Sequence, residues 1–374
     1  MKPGHLLMSA LHREKKQSLA NKSLGVAVIG AGGQGARRAQ AVRLANGWHL
    51  EGIFDSDMIR SREAAEKWKC HCFESVDDAI NSAKVDVVMI ATPPGSHDEL
   101  IIKALENGRH VLCEKPLTIN PTLAEQYLHL ARCRQLQLAT GFNHRFFKPV
   151  LELKNLVKDQ AIGNVLAIRG HIGEQPPAAI LDGWLGNPLI SGGGVLTDNG
   201  SHLIDLARVL MNNAQLKDTV VFERMTGRSG IENHCEFILT DENGLNAHLT
   251  ASWKTPDAKY LMLEVRGELG VISISAFPWR LTIERPGQKM LTKKYLIDRM
   301  AMKAMSRWAE GLELSLIREL KSLRQSILNP DHPASFHATG HDGLATAHII
   351  NRIRNESENM VKTISQSNLS RQIA

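Results

Sequence analysis

The 374-residue sequence contains no apolar run approaching the roughly 18 residues that mark a membrane-crossing helix, so stable membrane insertion is not expected. Its five cysteines are odd in number and follow no regular framework. That excludes a disulfide-stapled secreted scaffold and fits a reducing, cytoplasmic compartment. Cys70-His71-Cys72 invites a metal. Strand alternation leaves only Cys70 and Cys72 on one side, and no second ligand pair follows at a zinc-site spacing, so no metal site is expected. Met1 to Lys22 has basic residues and a brief apolar patch, Leu6-Leu7-Met8, but neither a long apolar core nor a small-residue cleavage site. It reads as a flexible arm, residues 1–22, rather than a secretory signal. No nucleic-acid module is recognisable. The net charge of +6 is modest. It gathers in the arm and in Lys289 to Arg324, where basic residues set among Met, Leu and Trp read as a solvated helix face with a packed opposite side.

What is present is an ordinary globular composition, 43% hydrophobic and 22% charged, in a chain too long for one core. Two domains are expected. Leu24 to Ile29 reads as a strand. Gly30-Ala31-Gly32-Gly33-Gln34-Gly35 then opens a helical stretch, fitting G-x-G-x-x-G through Gly30, Gly32 and Gly35. Gly30 permits the tight turn, Gly32 lets backbone approach a pyrophosphate, and Gly35 lets helix and strand pack closely. The helix N-terminus supplies free N–H groups to the phosphates. The next apolar strand, Trp48 to Phe54, ends in Asp55, at the distance where a carboxylate accepts hydrogen bonds from both ribose hydroxyls and repels the extra phosphate of NADP. This argues for NAD, with NADP less favoured and Arg60 close enough to soften the preference.

Strand–helix alternation continues through Val85 to Ile90, His110 to Cys113 and Gln137 to Gly141. These end in Ala91-Thr92-Pro93-Pro94-Gly95-Ser96-His97, Glu114-Lys115-Pro116 and Phe142-Asn143-His144-Arg145. Ligands bind beyond the carboxyl ends of strands in such sheets, so three polar clusters converge on one edge of a doubly wound sheet. Lys115, held extended before a proline, is placed to donate to a substrate hydroxyl and favour its alkoxide. Downstream, Gly192-Gly193-Gly194 feeds an apparent helix with Asp198, His202 and Asp205 at i, i+4 and i+7, on one face. A carboxylate and an imidazole one turn apart suit proton transfer near neutral pH. The glycine run is expected to let backbone pass close to cofactor or sugar.

With these motifs in order, the chain resembles the Gfo/Idh/MocA oxidoreductases over roughly residues 24 to 210. The resemblance rests on the glycine loop with Asp55, Ala91-Thr92-Pro93-Pro94 with His97, Glu114-Lys115-Pro116, Gly141-Phe142-Asn143-His144-Arg145, Trp184, and the Gly192–Gly194, Asp198, His202 and Asp205 block. It implies an α/β chain: an N-terminal Rossmann dinucleotide-binding domain over 23–145, and a C-terminal α/β domain over 146–374 with a large, open, mostly antiparallel sheet. Strand-like runs at Val220–Arg224, Cys235–Leu239, Ala247–Ser252, Leu261–Arg266 and Val271–Ile274 are compatible, as is a closing helix from Gly340 to about Ile353. In the family that sheet often packs face to face, so a homo-dimer or homo-tetramer is expected.

The resemblance further implies hydride transfer between a nicotinamide and a CH–OH carbon of a carbohydrate: a sugar, sugar nucleotide or polyol. His202 would be the base. Asp198 would orient it and bind a substrate hydroxyl, and Lys115 would hydrogen-bond the reacting oxygen. Glu114 would lie near the nicotinamide ribose. Ala91 and Thr92, with Pro93, His97 and Lys115, would line the cofactor beside Gly30, Gly32, Gly33, Gln34 and Gly35. Arg145 and Trp184 would face the substrate, and Asp205 would anchor its helix. Many relatives follow the tryptophan with a basic residue, whereas Trp184-Leu185-Gly186 stands here, which leaves the substrate contacts at that point open. Two alternatives remain from sequence. One is an NAD-dependent glycosidase working by transient oxidation and elimination; the other is a non-catalytic nucleotide-sensing protein. Retained Lys115, Asp198 and His202 argue against the second.

Overall fold

The computed structural model describes residues 22–211, 214–228, 230–254, 260–276, 279–298, 300, 313–334 and 336–373. Nearly all of the expected N-terminal arm, and the 301–312 part of the basic stretch, lie outside the described residues.

The first half is a six-stranded sheet of β1 (Leu24–Ile29), β2 (Trp48–Phe54), β3 (His71–Cys72), β4 (Val87–Ile90), β5 (His110–Glu114) and β6 (Leu138–Gly141). Its order is β3-β2-β1-β4-β5-β6, and every pairing is parallel. Parallel strands covered on both faces must be apolar on both, which is why β1 reads as an unbroken run and is buried throughout. One face packs on α1 (Gly33–Leu44), through Val26, Val28, Val87 and Met89 against Ala39 and Val42. After α2 (Met58–Trp68) and α3 (Val76–Asn81), helices α4 (His97–Glu106) and α5 (Pro121–Cys133) cover the other face. There Ile29, Val88 and Ile90 meet Ile101, Ala104 and Tyr127. The order reverses between β1 and β4, and that switch point opens a crevice beyond their carboxyl ends.

After α6 (Lys148–Lys158) comes an eight-stranded sheet. Its strands are β7 (Val165–Ile172), β8 (Gln215–Arg224), β9 (Glu232–Thr240), β10 (Asn246–Ser252), β11 (Leu261–Gly267), β12 (Gly270–Ala276), β13 (Arg280–Glu284) and β14 (Leu291–Lys294). The order is β14-β13-β12-β11-β7-β10-β9-β8. Only β7 and β10 run parallel, so the expected large, mostly antiparallel sheet is what forms. Alternation shows in β11, where Leu261, Leu263 and Val265 are buried and Met262 and Arg266 exposed. Short helices α7 (Ala178–Leu181) and α8 (Pro188–Ser191) lead towards α9 (Ser201–Leu210). One sheet face packs on Val150 and Leu153 of α6, Leu203, Ile204 and Ala207 of α9, and Ile349, Ile350 and Ile353 of a terminal helix.

Two later helices tie the halves together. α10 (Leu314–Leu328), the described end of the basic stretch, returns to the first sheet and buries Leu316, Leu320 and Leu323 beside Val26 and Val28. α11 runs Gly340–Ile373, well past the expected end near Ile353. The apolar stripe does stop there, but no Gly or Pro follows to break the helix. No described helix is long and apolar enough to cross a membrane.

Candidate active site

The glycine loop turns at the end of β1. Gly30 has φ 98°, a conformation that favours glycine. A Cβ there would lie 2.6 Å from the Ala91 carbonyl oxygen, and one at Gly35 would lie 1.8 Å from the Gly30 oxygen. At Gly32 and Gly33 a Cβ would meet no protein atom within 4 Å. It would instead fill the cradle before the first turn of α1, whose N-cap, Gly32, offers no side-chain partner to the helix N–H groups. At the end of β2, Asp55 is 7% exposed. Its Oδ2 accepts from Ala31 N at 2.7 Å and its Oδ1 from Asp57 N at 2.9 Å. Arg60 Nη1 stands 3.4 Å from Oδ1. Uncapped N–H groups for a pyrophosphate and a carboxylate beside them for ribose hydroxyls are the donor and acceptor set a dinucleotide needs. Ala91, Thr92 and Pro93 lie half-buried at the opposing strand end.

Three expected cofactor residues are held by other protein groups. His97 is 0% exposed. Its Nδ1 lies 2.9 Å from the Pro116 carbonyl oxygen and its Nε2 2.9 Å from that of Thr92. It braces the loops after β4 and β5 from behind and presents no free ring nitrogen to a cofactor. Burial lowers its pKa against the pull of both carbonyls, so the neutral ring has one N–H for two acceptors. The Gln34 side chain donates to Glu114 Oε1 at 2.9 Å, leaving only its backbone for the cradle. Glu114 itself, 7% exposed, is held by Arg38 Nε at 2.6 Å. Arg38 also pairs with Glu319 of α10. Glu319 is pushed up to about 7 by burial, against the Arg38 charge. This buried Glu–Arg–Glu bridge locks α10 onto the strand end that carries Lys115.

Lys115 Nζ donates to Asp198 Oδ1 at 2.7 Å and to the Asp198 carbonyl at 2.9 Å; the Lys115–Pro116 peptide is cis. Asp198 therefore binds the lysine, and the expected orienting contact from Asp198 to His202 is not what forms. The reason is local. Leu196–Gly200 is a π-turn, with α9 starting only at Ser201. Its wider turn takes residue i+4 out of line with residue i. The turn is propped by Glu232, 1% exposed, whose Oε1 accepts from Leu196 N at 3.1 Å and from Arg354 at 3.2 Å. The glycine run likewise serves the protein rather than a ligand. Cβ atoms would strike Ile119 from Gly192, Arg354 from Gly193 and the Glu232 backbone from Gly194.

His202 is 5% exposed. It stacks on His144 with centroids 3.6 Å apart and 19° between planes, and meets the edge of Phe142 at 5.9 Å. Burial first, then His144, Lys115 and Arg38, hold its pKa well below the ordinary 6.5. It is a neutral imidazole beside a lysine–aspartate pair.

Arg145, expected to reach substrate oxygens, is 4% exposed and already engaged. Its Nε donates to Asp205 Oδ2 at 2.7 Å, and its Nη2 lies 3.1 Å from Asp342 Oδ1. Asp205, 1% exposed, is the helix anchor the sequence suggests. Trp184 begins a 3₁₀ turn, Trp184–Gly186, and is 40% exposed. The following α8 borders the Thr92 loop, a Cβ at Gly95 lying 3.2 Å from Ile190 Cα. Among the described residues, no three metal-ligating side chains converge. Sequence reasoning assigned nothing to Arg38 or His144. His144 sits in a strand-end cluster and was legible in principle, whereas Arg38 lies within an ordinary helix.

Residues 24–142 match the model of the oxidoreductase family with an NAD-binding Rossmann fold, and residues 150–273 that of the GFO/IDH/MocA C-terminal domain. The chain is 29% identical over 238 residues to inositol 2-dehydrogenase of Corynebacterium glutamicum (strain R), covering 60% of this chain and 66% of that protein. It is 30% identical over 207 residues to D-glucoside 3-dehydrogenase of Escherichia coli (strain K12), covering 54% and 58%. The alignments thus span somewhat less than two thirds of either relative. A solved levoglucosan dehydrogenase in complex with NADH has the same fold, with a TM-score of 0.76 at 22% identity over 90% of this chain and 98% of that one.

Proposed function

Because the chain belongs to the Gfo/Idh/MocA oxidoreductase family, we propose that it transfers a hydride between NAD and a CH–OH carbon of a sugar or polyol. The observation that carries this reading is the Lys115–Asp198 pair at 2.7 Å, set near a buried neutral His202. A binding module has no use for a positioned base next to a shielded ammonium. Bound NAD would supply the hydride acceptor at C4 of its nicotinamide.

The protein supplies the rest. The first turn of α1 and the cradle at Gly32 and Gly33 hold the pyrophosphate; Asp55 accepts from the adenosine ribose, and Glu114 lies on the nicotinamide side. Lys115 donates to the reacting hydroxyl oxygen and favours its alkoxide electrostatically. Asp198 holds the lysine ammonium in place and accepts from a neighbouring substrate hydroxyl. His202 takes the hydroxyl proton. Its Nδ1 is buried, so the proton goes to Nε2. Trp184, half in solvent beside the Thr92 loop, is placed to cover a sugar face. Among the described residues, one face of the second sheet keeps Arg169, His248, Met262 and Arg266 exposed. That face is the one a second copy would cover.

Lys115→Met tests the reading. Loss of one preorganised donor to a developing oxyanion lowers kcat about 10²- to 10³-fold. NAD affinity, read by quenching of protein fluorescence, stays within about threefold, because the ammonium contacts Asp198 and not the glycine loop. Equal loss of both would remove Lys115 from the chemistry. Asp55→Asn tests cofactor choice. Losing a charged acceptor for ribose hydroxyls weakens NAD about 10-fold or more, while NADP, freed from repulsion, weakens less. An unchanged NAD-to-NADP ratio would take Asp55 off the ribose.

A further inference from the structure

Resting on the reading of the first domain as an NAD site, we propose that Glu319 sets which redox state of the cofactor the protein prefers. The Glu114–Arg38–Glu319 bridge puts two carboxylates on one buried guanidinium. One negative charge is left uncompensated on the nicotinamide side of the crevice. It favours the oxidised nicotinamide ring, which is a cation, over the reduced ring, which is neutral.

Topology places the bridge. Asp55, the ribose acceptor, follows β2, and the crevice opens between β1 and β4. A dinucleotide with its adenosine at the end of β2 crosses the glycine loop and brings its nicotinamide over the ends of β4 and β5. Glu114 is the last residue of β5. It borders the glycine loop directly, because Gln34 of that loop donates to its Oε1 at 2.9 Å. Arg38 Nε donates to the same oxygen at 2.6 Å, and Arg38 Nη1 donates to Glu319 Oε2. Arg38 and Glu319 are each 1% exposed and Glu114 is 7% exposed, so salt screens their charges little.

The charges do not cancel within the cluster. Among the described residues, Arg38 is the one cation paired with either carboxylate. Glu313, just before α10, is a third carboxyl, held by Asn143 Nδ2 at 2.7 Å and Ser315 Oγ at 2.9 Å and set against exposed Arg37 of α1. Other charged groups around α10 are committed elsewhere. Arg145, in the turn Asn143–Phe146, pairs with Asp205, and Arg318 pairs with Asp298. His144 of the same turn is neutral, as are His202 and Cys113, which also face Arg38. Glu319 Oε1 is buried with no donor among the described residues, so a proton added there displaces no hydrogen bond. Burial, opposed by Arg38 and reinforced by Glu114 and Glu313, pushes the Glu319 carboxyl up to about 7. Below that pH the bridge sums to zero, and above it to one negative charge. Oxidised NAD favours the ionised form, so its binding near neutral pH expels protons that binding of NADH does not.

The test measures binding by the full chain and needs no turnover. Dissociation constants for NADH, from its fluorescence, and for oxidised NAD, from displacement of NADH, are taken at about pH 6 and about pH 8.5, either side of the Glu319 value. Their ratio cancels the adenosine, ribose and pyrophosphate contacts that both forms share. In the wild type the preference for the oxidised form should rise about threefold or more between the two conditions, the effect of one unit charge acting through protein. Glu319→Gln keeps an acceptor for Arg38 and removes the charge, so its ratio should stay at the wild type's low-pH value in both. Calorimetry in buffers of different ionisation heat should show more protons released by oxidised NAD than by NADH, with the difference gone in Glu319→Gln. A flat wild-type ratio, or one that rises equally in Glu319→Gln, would overturn the role of Glu319 and leave the hydride-transfer reading standing. Should Glu319→Gln fail to fold, Glu319→Met, which fills the site without charge, carries the same expectation. A rising ratio in a chain that oxidises no sugar would sink the hydride-transfer reading while supporting the role of Glu319. Binding of neither form would sink both.

Discussion

Replacing His202 with alanine is expected to lower kcat about 10²- to 10⁴-fold, the contribution of a positioned general base. NAD affinity should change by no more than about twofold, since loss of an interaction made only in the transition state leaves ground-state binding intact. The pH profile carries a second, independent expectation. A base works in its deprotonated form, so activity falls when pH drops below its pKa. Burial, aided by His144, Lys115 and Arg38, holds that value well under the ordinary 6.5. The acidic limb of kcat/KM in the wild type should therefore lie well below pH 6.5, not at it. A limb at or above the ordinary histidine value would mean that His202 is not the group being titrated.

Asp205→Ala carries the largest expected effect on stability, about 3–5 kcal/mol, because removing one partner of a buried ion pair strands the other charge. The Arg145 guanidinium is nine-tenths buried or more, donates to both Asp205 oxygens, and among the described residues retains Asp342 and a 3.4 Å contact to the His337 carbonyl when Asp205 is gone. Urea titration followed by circular dichroism measures the loss. Arg145→Met combined with Asp205→Leu should recover much of it, since a matched apolar pair removes both charges from the interior. Unchanged stability in Asp205→Ala would show that Arg145 is not held by this pair, and would reopen its role in binding substrate oxygens.

The first sheet was legible because its central strands β1, β4, β5 and β6 are buried on both faces. The continuous apolar run Leu24–Ile29 marks itself, and Trp48–Phe54 is apolar enough despite His49 and Glu51; the observed strands have those bounds. The second sheet was legible where alternation is clean, as in β11, and not at β7, where Arg169, Gly170 and His171 interrupt the pattern, or at β14, which is exposed along its length. Around the site, motif spacing identified Lys115, Asp198 and His202 but not how they pair. The helical periodicity assigned to Asp198 and His202 fails because a π-turn precedes α9, and that turn depends on Glu232 and Arg354, far away in sequence. His97 and Arg145 carry polar side chains at strand ends, the usual place for ligand contacts, yet both are spent on internal partners that only the tertiary packing supplies. Arg38 faced the opposite difficulty: one arginine within an ordinary helix gives no sign that two buried carboxylates from distant segments close on it.

Isotope transfer tests directly whether Lys115 and His202 serve hydride transfer from a carbohydrate CH–OH carbon to NAD. The wild-type protein is incubated with NAD and ring-deuterated substrates, myo-inositol and glucose among them, together with nitrophenyl glucosides, and the nicotinamide products are read by mass spectrometry and proton NMR. Deuterium is expected at C4 of newly formed NADH and a ketone on the sugar, both lost in Lys115→Met and His202→Ala. Nitrophenol release without net NADH, or NAD binding with no deuterium transfer from any of these compounds, would contradict it.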